Sequence, residues 1–160
     1  MAFLGYALLI LATIGRIWCA IYIAGRKNKE VCRSGPYSLC RNPLYLFSFL
    51  GLLGVALGAQ NLPLALAVTP IYWIYYAFVI RGEEGELRAL FGEAFEVYRR
   101  EVPAVLPRWR RPEAEDISPR DAKILFRAVL DAQVFLWLLL LLEILEYARP
   151  HFRTPWILPF

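Results

Sequence analysis

At 160 residues the chain has the length of one domain, but 59% of its residues are hydrophobic, 20% are charged and the net charge is +4. That apolar share is well above the usual globular one, and the charges fall in blocks, which argues against a water-soluble enzyme and for an all-α integral membrane protein. Three cysteines without a CxxC spacing and one remote histidine, His151, argue against a metal site and against a disulfide framework.

Residues 1–25 read as a first membrane helix. Ala2 to Ala24 is almost uniformly apolar, exceeds the ~20 residues a span needs, and lacks the basic start of a cleavable signal. Arg16 interrupts it. A charge in lipid is costly, so Arg16 is expected either to snorkel to the interface or to face a polar cavity.

Residues 26–43 form a basic loop, with Arg26, Lys27, Lys29, Arg33 and Arg41 against Glu30. Such a run is a topology signal, and no motif of nucleic-acid recognition accompanies it, so no nucleic-acid partner is expected. Pro36 and Pro43 lack N–H groups and bias the residues before them away from helix. The stretch from Gly35 to Tyr45 therefore reads as a rigid non-helical loop that restarts as helix near Leu44. It gathers Tyr37, Arg41, Asn42 and Tyr45 where a polar pocket could meet the membrane surface.

Residues 44–59 form a second apolar helix with Gly51, Gly54 and Gly58 on one face, a pattern that permits close helix packing. A short uncharged turn leads to a third, 62–80, which contains Pro70 and ends in aromatics suited to a membrane interface. Residues 83–101 read as a separate amphipathic helix: Leu87, Leu90, Phe91, Ala94, Phe95 and Tyr98 recur at helical spacing, opposite Glu86, Glu93, Glu96 and Arg100. Glu83 and Glu84 stand four and three residues before Leu87 and so point towards its apolar face. After Val102-Pro103, Leu106-Pro107 and a mixed-charge linker, residues 120–147 read as a fourth membrane helix.

Lys and Arg number five in 25–43 and nine in 81–123, against none in 60–63 and two in 148–160. The bias gives four crossings with both termini outside. It also puts the Arg41-Asn42 loop and the Glu83-Glu84 pair on one cytoplasmic side, where they can form one site.

Gly35-Pro36-Tyr37 and Arg41-Asn42-Pro43-Leu44-Tyr45, followed by Glu83-Glu84-x-x-Leu87, Phe91-Gly92, Tyr98, Val102-Pro103 and Leu106-Pro107, resemble the isoprenylcysteine carboxyl methyltransferase family of membrane enzymes. Phospholipid N-methyltransferases share a related C-terminal signature. The resemblance covers about residues 15 to 108. It implies a single membrane methyltransferase domain over 1–160 that uses S-adenosylmethionine, releases S-adenosylhomocysteine and has no Rossmann domain. It further implies that Tyr37, Arg41, Asn42, Pro43, Tyr45 and Tyr98 shape the donor pocket, that Glu84 holds the donor's polar end and that Arg81 orients an acidic substrate. Where many members carry His, this chain has Asn42. It also has only one helix before the first motif, and its last helix is an addition that could replace the missing packing surface, restrict lipid access or mediate homo-oligomerisation.

A carboxylate acceptor is already ionised near neutral pH and needs no base, whereas an amine or thiol must lose a proton and no His lies near the motifs. This tilts the reading towards O-methylation of an isoprenylcysteine-like or other lipophilic carboxylate entering from the bilayer. N-methylation of a phospholipid amine and S-methylation of a small thiol stay open, as does a non-catalytic membrane scaffold. The small size and short loops suit a prokaryotic inner membrane.

Overall fold

A computed structural model describes residues 1–108, 122–134, 137, 138, 140, 141, 143 and 144. Its elements are α1 (Ala2–Ile23), a single 3-10 turn (Gly35–Ser38), α2 (Pro43–Gly58), α3 (Leu62–Phe91), α4 (Glu93–Glu101) and α5 (Ala122–Ala132). No strand occurs among the described residues, so the all-α expectation holds. Side by side the helices run α5, α1, α2, α3, and α4 folds back on the end of α3.

Helices α1 and α3 are long and apolar enough to cross a membrane. Among the described residues only these two pass that test, so the expected count of four crossings is not shown. With 16 residues, α2 rises about 24 Å, short of a ~30 Å hydrocarbon core. Its ends are set by Pro43, which takes the first helical position, and by Gln60, which turns the chain at φ 54°. The helix expected over 120–147 is seen as α5 and as further helical residues up to Ile144. Its remaining positions, like the linker before it, lie outside the described residues.

The separate helix expected over 83–101 is a correction. Its first half is the continuation of α3, whose 30 residues rise about 45 Å. Exposed Ile71, Ile74 and Phe78 mark its lipid-facing part, which ends at Arg81, where the guanidinium lies 6.0 Å from the Phe78 ring centroid. From there the helix continues for ten residues, about 15 Å beyond the apolar zone. The break comes at Gly92, whose φ of 53° suits glycine. The stripe read as one apolar face is thereby split: Leu87 and Phe91 of α3 pack against Phe95, Tyr98 and Val102, while Leu90 is left 57% exposed.

The α1–α2 seam rests on glycine. A Cβ on Gly5 would lie 2.7 Å from the Gly54 carbonyl oxygen and run into the Gly58 backbone. The spacing of Gly54 and Gly58 is thus used for close approach, as their shared face suggests. Leu9, Ala12 and Thr13 bury along the same seam, and Thr13 returns its hydroxyl to the Leu9 carbonyl at 2.9 Å.

The loop expected to be wholly non-helical contains one tight turn. Pro36 starts it, and the Ser38 hydroxyl donates to the Gly35 carbonyl at 2.7 Å. What ties this loop to the far end of the chain is Arg41. Its guanidinium donates through Nε (3.0 Å) and Nη2 (2.6 Å) to Glu84 Oε1 on α3, and through Nη1 to the carbonyls of Arg99 and Val102 at the end of α4. Carbonyls at a helix end carry partial negative charge, so the cation suits that position. The backbones also pair: Arg41 N–H donates to Pro103 O at 2.8 Å, Asn42 N–H to Ala104 O at 3.0 Å and Arg108 N–H to Leu39 O at 2.9 Å.

Three substitutions test this architecture. Gly5→Val should abolish α1–α2 closure, whereas Gly82→Ala, with nothing within 4 Å of its Cβ, should stabilise the helix by up to about 1 kcal/mol. Arg41→Met should lower stability by about 3 kcal/mol by leaving Glu84 without its main partner. Thermal unfolding in detergent reads all three.

Candidate functional site

The clamp encloses a cavity of about 310 Å³ at the end of α1, at the lower bound of the ~300–1,000 Å³ typical of ligand sites. Four stretches supply its walls. The motif loop and the start of α2 contribute Tyr37, Arg41, Asn42, Leu44 and Tyr45; the basic loop contributes Lys27, Asn28, Glu30, Val31 and Cys32. The extension of α3 gives Glu83, Glu86 and Leu87, and α4 gives Phe95 and Tyr98. Residues widely separated in the chain meet here because α3 outlasts the apolar zone and α4 doubles back.

Of the residues singled out from sequence, Tyr37, Arg41, Asn42, Tyr45 and Tyr98 all line this cavity. Pro43 is fully buried beneath it as the first residue of α2. Glu84 stands behind the wall, held by Arg41 on one oxygen and by Arg99 at 3.6 Å on the other. Its neighbour Glu83 is the one of the pair that faces the cavity. Arg81 is exposed on the outer side of α3 against Phe78 and does not line the cavity.

Several lining residues were not named as site residues from sequence. Lys27, Asn28 and Glu30 belong to a run that charge counting explains as topology alone. Glu86 fell on the polar face of the expected helix, yet it is one turn from Glu83 and borders the same space. The signal that could have found it is the spacing of Glu83, Glu86 and Leu87, at i, i+3 and i+4, which places all three on one side of a helix.

The wall is richer in carboxylates than in available cations. Arg41 is committed to Glu84 and to two carbonyls, and Glu30 pairs with Arg26 at 3.4 Å. Among the described residues Lys27 and Glu86 enter no ion pair. On the outer surface the ion pairs continue: Arg99 also approaches Glu96 at 3.5 Å, and Arg88 bonds Glu96 and holds its carboxyl below the usual range.

The remaining titratable groups are poor bases. Burial pushes the Cys40 thiol up to about 11 and raises Tyr37 and Tyr98 above the ordinary phenol range. They stay protonated at neutral pH, and the Tyr98 hydroxyl donates to the Tyr37 carbonyl at 2.7 Å. Arg33 covers the Tyr98 ring at 5.7 Å and bonds the Ala94 carbonyl, closing α4 onto the basic loop. Among the described residues no three His, Cys, Asp or Glu side chains are grouped as metal ligands.

Known proteins resemble this chain over much of its length. The chain is 36% identical over 139 residues to the nickel-cobalt-cadmium resistance protein NccN of Alcaligenes xylosoxydans xylosoxydans, covering 87% of this chain and 65% of that protein. It is 39% identical over 133 residues to the cobalt-zinc-cadmium resistance protein CzcN of Cupriavidus metallidurans, covering 83% and 61%. The chain thus spans less than two thirds of the length of either. Over 87 residues, 53% of this chain and 37% of the relative, it is 30% identical to the protein-S-isoprenylcysteine O-methyltransferase of Schizosaccharomyces pombe. No solved structure matches significantly. The family model of phospholipid methyltransferase matches residues 1–94, which hold the first motif, the helical hairpin and the Glu83-Glu84 pair. With more than half of its length so matched, and with the resemblance to isoprenylcysteine methyltransferases borne out by that yeast relative, the chain belongs to the phospholipid methyltransferase family.

Proposed function

We propose that the chain is an integral membrane methyltransferase that takes its methyl group from S-adenosylmethionine and passes it to a lipophilic acceptor arriving from the bilayer. The observation that carries this reading is the cavity wall: Glu83 and Glu86 from α3 facing Tyr45, Asn42 and Lys27 from the motif and basic loops. These residues fit the donor. A carboxylate pair suits its ammonium and sulfonium, Lys27 suits its carboxylate, and the buried rings of Phe95 and Tyr98 offer apolar surface to a base. When bound, S-adenosylmethionine would supply an electrophilic methyl group and leave as S-adenosylhomocysteine.

The chain's own part is positioning and the exclusion of water. Glu83, rather than Glu84, is the carboxylate offered to the donor, and Glu84 works by holding Arg41. Arg81 lies outside the cavity and gives up the role of substrate anchor, and Lys27, which borders the cavity and enters no ion pair among the described residues, is the cation left for the donor's carboxylate. An acceptor carboxylate would attack as the anion, so no residue need remove a proton, in keeping with a cavity whose Tyr37 and Tyr98 hold theirs. A second reading, methylation of a phospholipid amine, is favoured by Glu83 and Glu86, either of which could accept the proton of an ammonium acceptor. We place the cavity on the cytoplasmic face of a prokaryotic inner membrane, from the Lys and Arg bias of residues 25–43 and 81–123.

Calorimetric titration of S-adenosylhomocysteine and methyl labelling of lipid extracts test this together. Glu83→Gln should weaken binding about tenfold or more, the loss of a charge-assisted hydrogen bond, while Glu84→Gln should mainly lower thermal stability. Label released as methanol by mild base marks a carboxyl ester; base-stable label marks the amine reading. Folded wild-type protein that binds no S-adenosylhomocysteine, in detergent and in nanodiscs, contradicts the proposal and leaves a scaffold.

A further inference from the structure

Arg16 lies seven residues before the end of α1, about 10 Å into the apolar zone. Snorkelling alone would carry its head along α1 to the interface. Instead its Nη1 donates to the Ser48 hydroxyl oxygen on α2, and Ser48 donates to the Leu44 carbonyl at 2.8 Å. Tyr72, buried on α3, donates to the backbone carbonyl of Tyr45, one turn before Ser48 on α2, at 2.8 Å. The rings repeat the link. Tyr72 stacks on Tyr76 with centroids 4.2 Å apart, and Tyr76 packs on Tyr45 at 4.6 Å. Tyr45 then lines the cavity together with Glu83.

This seam crosses three helices and ends on the carboxylate that the cavity presents. Tyr45 is fixed by its carbonyl and by its ring in the wall that it shares with Glu83. Ser48 and Tyr45 lie three residues apart on α2, so an anchor on Ser48 also holds the turn that carries Tyr45. Simple packing between α1 and α2 would be served as well by leucine and would need no guanidinium.

We propose that Arg16 is a positioning residue for the methyl-donor site: through Ser48, Tyr72 and Tyr45 it sets the orientation of Glu83 and hence the affinity for the donor's cationic end. This rests on the donor reading above, and its test is built to fail separately. Arg16→Leu and Ser48→Ala should each weaken S-adenosylhomocysteine binding about five- to tenfold in the wild type but less than about twofold in a Glu83→Gln background, the non-additivity of residues in one network. Equal losses in both backgrounds would reduce Arg16 to a structural role and overturn the proposal. Ser48→Ala carries the test if Arg16→Leu does not fold. A second readout needs no ligand: the 13Cζ resonance of Tyr45, assigned with Tyr45→Phe, should move in Ser48→Ala. An unmoved resonance overturns the linkage even if the wild type binds no donor, an outcome that would count against the donor reading alone.

Discussion

The site depends on one guanidinium. Arg41 reaches Glu84 on α3, the last carbonyls of α4 and, through its backbone, Pro103. Tyr98, Asn42 and Arg33 also tie the two loops to α4 and the segment after it, but Arg41 is the side chain of the motif loop that reaches α3 as well. The pair is largely shielded, with side-chain exposures of 10% and 16%. A shielded ion pair contributes little net stability but is costly to break from one side, so its role is to specify an arrangement. What it specifies is which of two adjacent acids is available: with Glu84 held, Glu83 is the one left facing the cavity.

The membrane supplies the second constraint. A helix crossing ~30 Å of hydrocarbon needs about 20 residues, and α3 has 30. The surplus carries Glu83, Glu86 and Leu87 into the polar zone on a rigid element rather than on a loop. Gly92 then lets α4 turn back, so Phe95 and Tyr98 close the cavity from outside. The same geometry keeps the cavity beside the apolar seam of α1, α2 and α3, and the Arg16–Ser48–Tyr72–Tyr45 chain occupies that seam.

Much of this was legible in the residues. Proline and glycine at fixed places announced the motif loop and the close α1–α2 face, and the apolar runs announced α1 and α3. Charge bias put the Arg41 loop and the Glu83-Glu84 segment on one side, where they could meet. Three features were not legible, for physical reasons. The end of α3 was placed too early because Arg81 and the acids after it look like an interface, while a helix backbone continues through charge without penalty. Leu90 matched the period of an amphipathic face, but one glycine dihedral rotated that face away. Periodicity could also not decide between Glu83 and Glu84, since adjacent residues differ by about 100° around a helix. Only the position of Arg41 settles that, and Arg41 is 43 residues distant from Glu84.

The most direct measurement is an experimental structure of the protein with S-adenosylhomocysteine bound, in lipid nanodiscs. The account predicts the ligand's ammonium against Glu83, with Arg41 still closed on Glu84 and Tyr45 alongside. A ligand held by Glu84, with Arg41 swung away from α3, would contradict it.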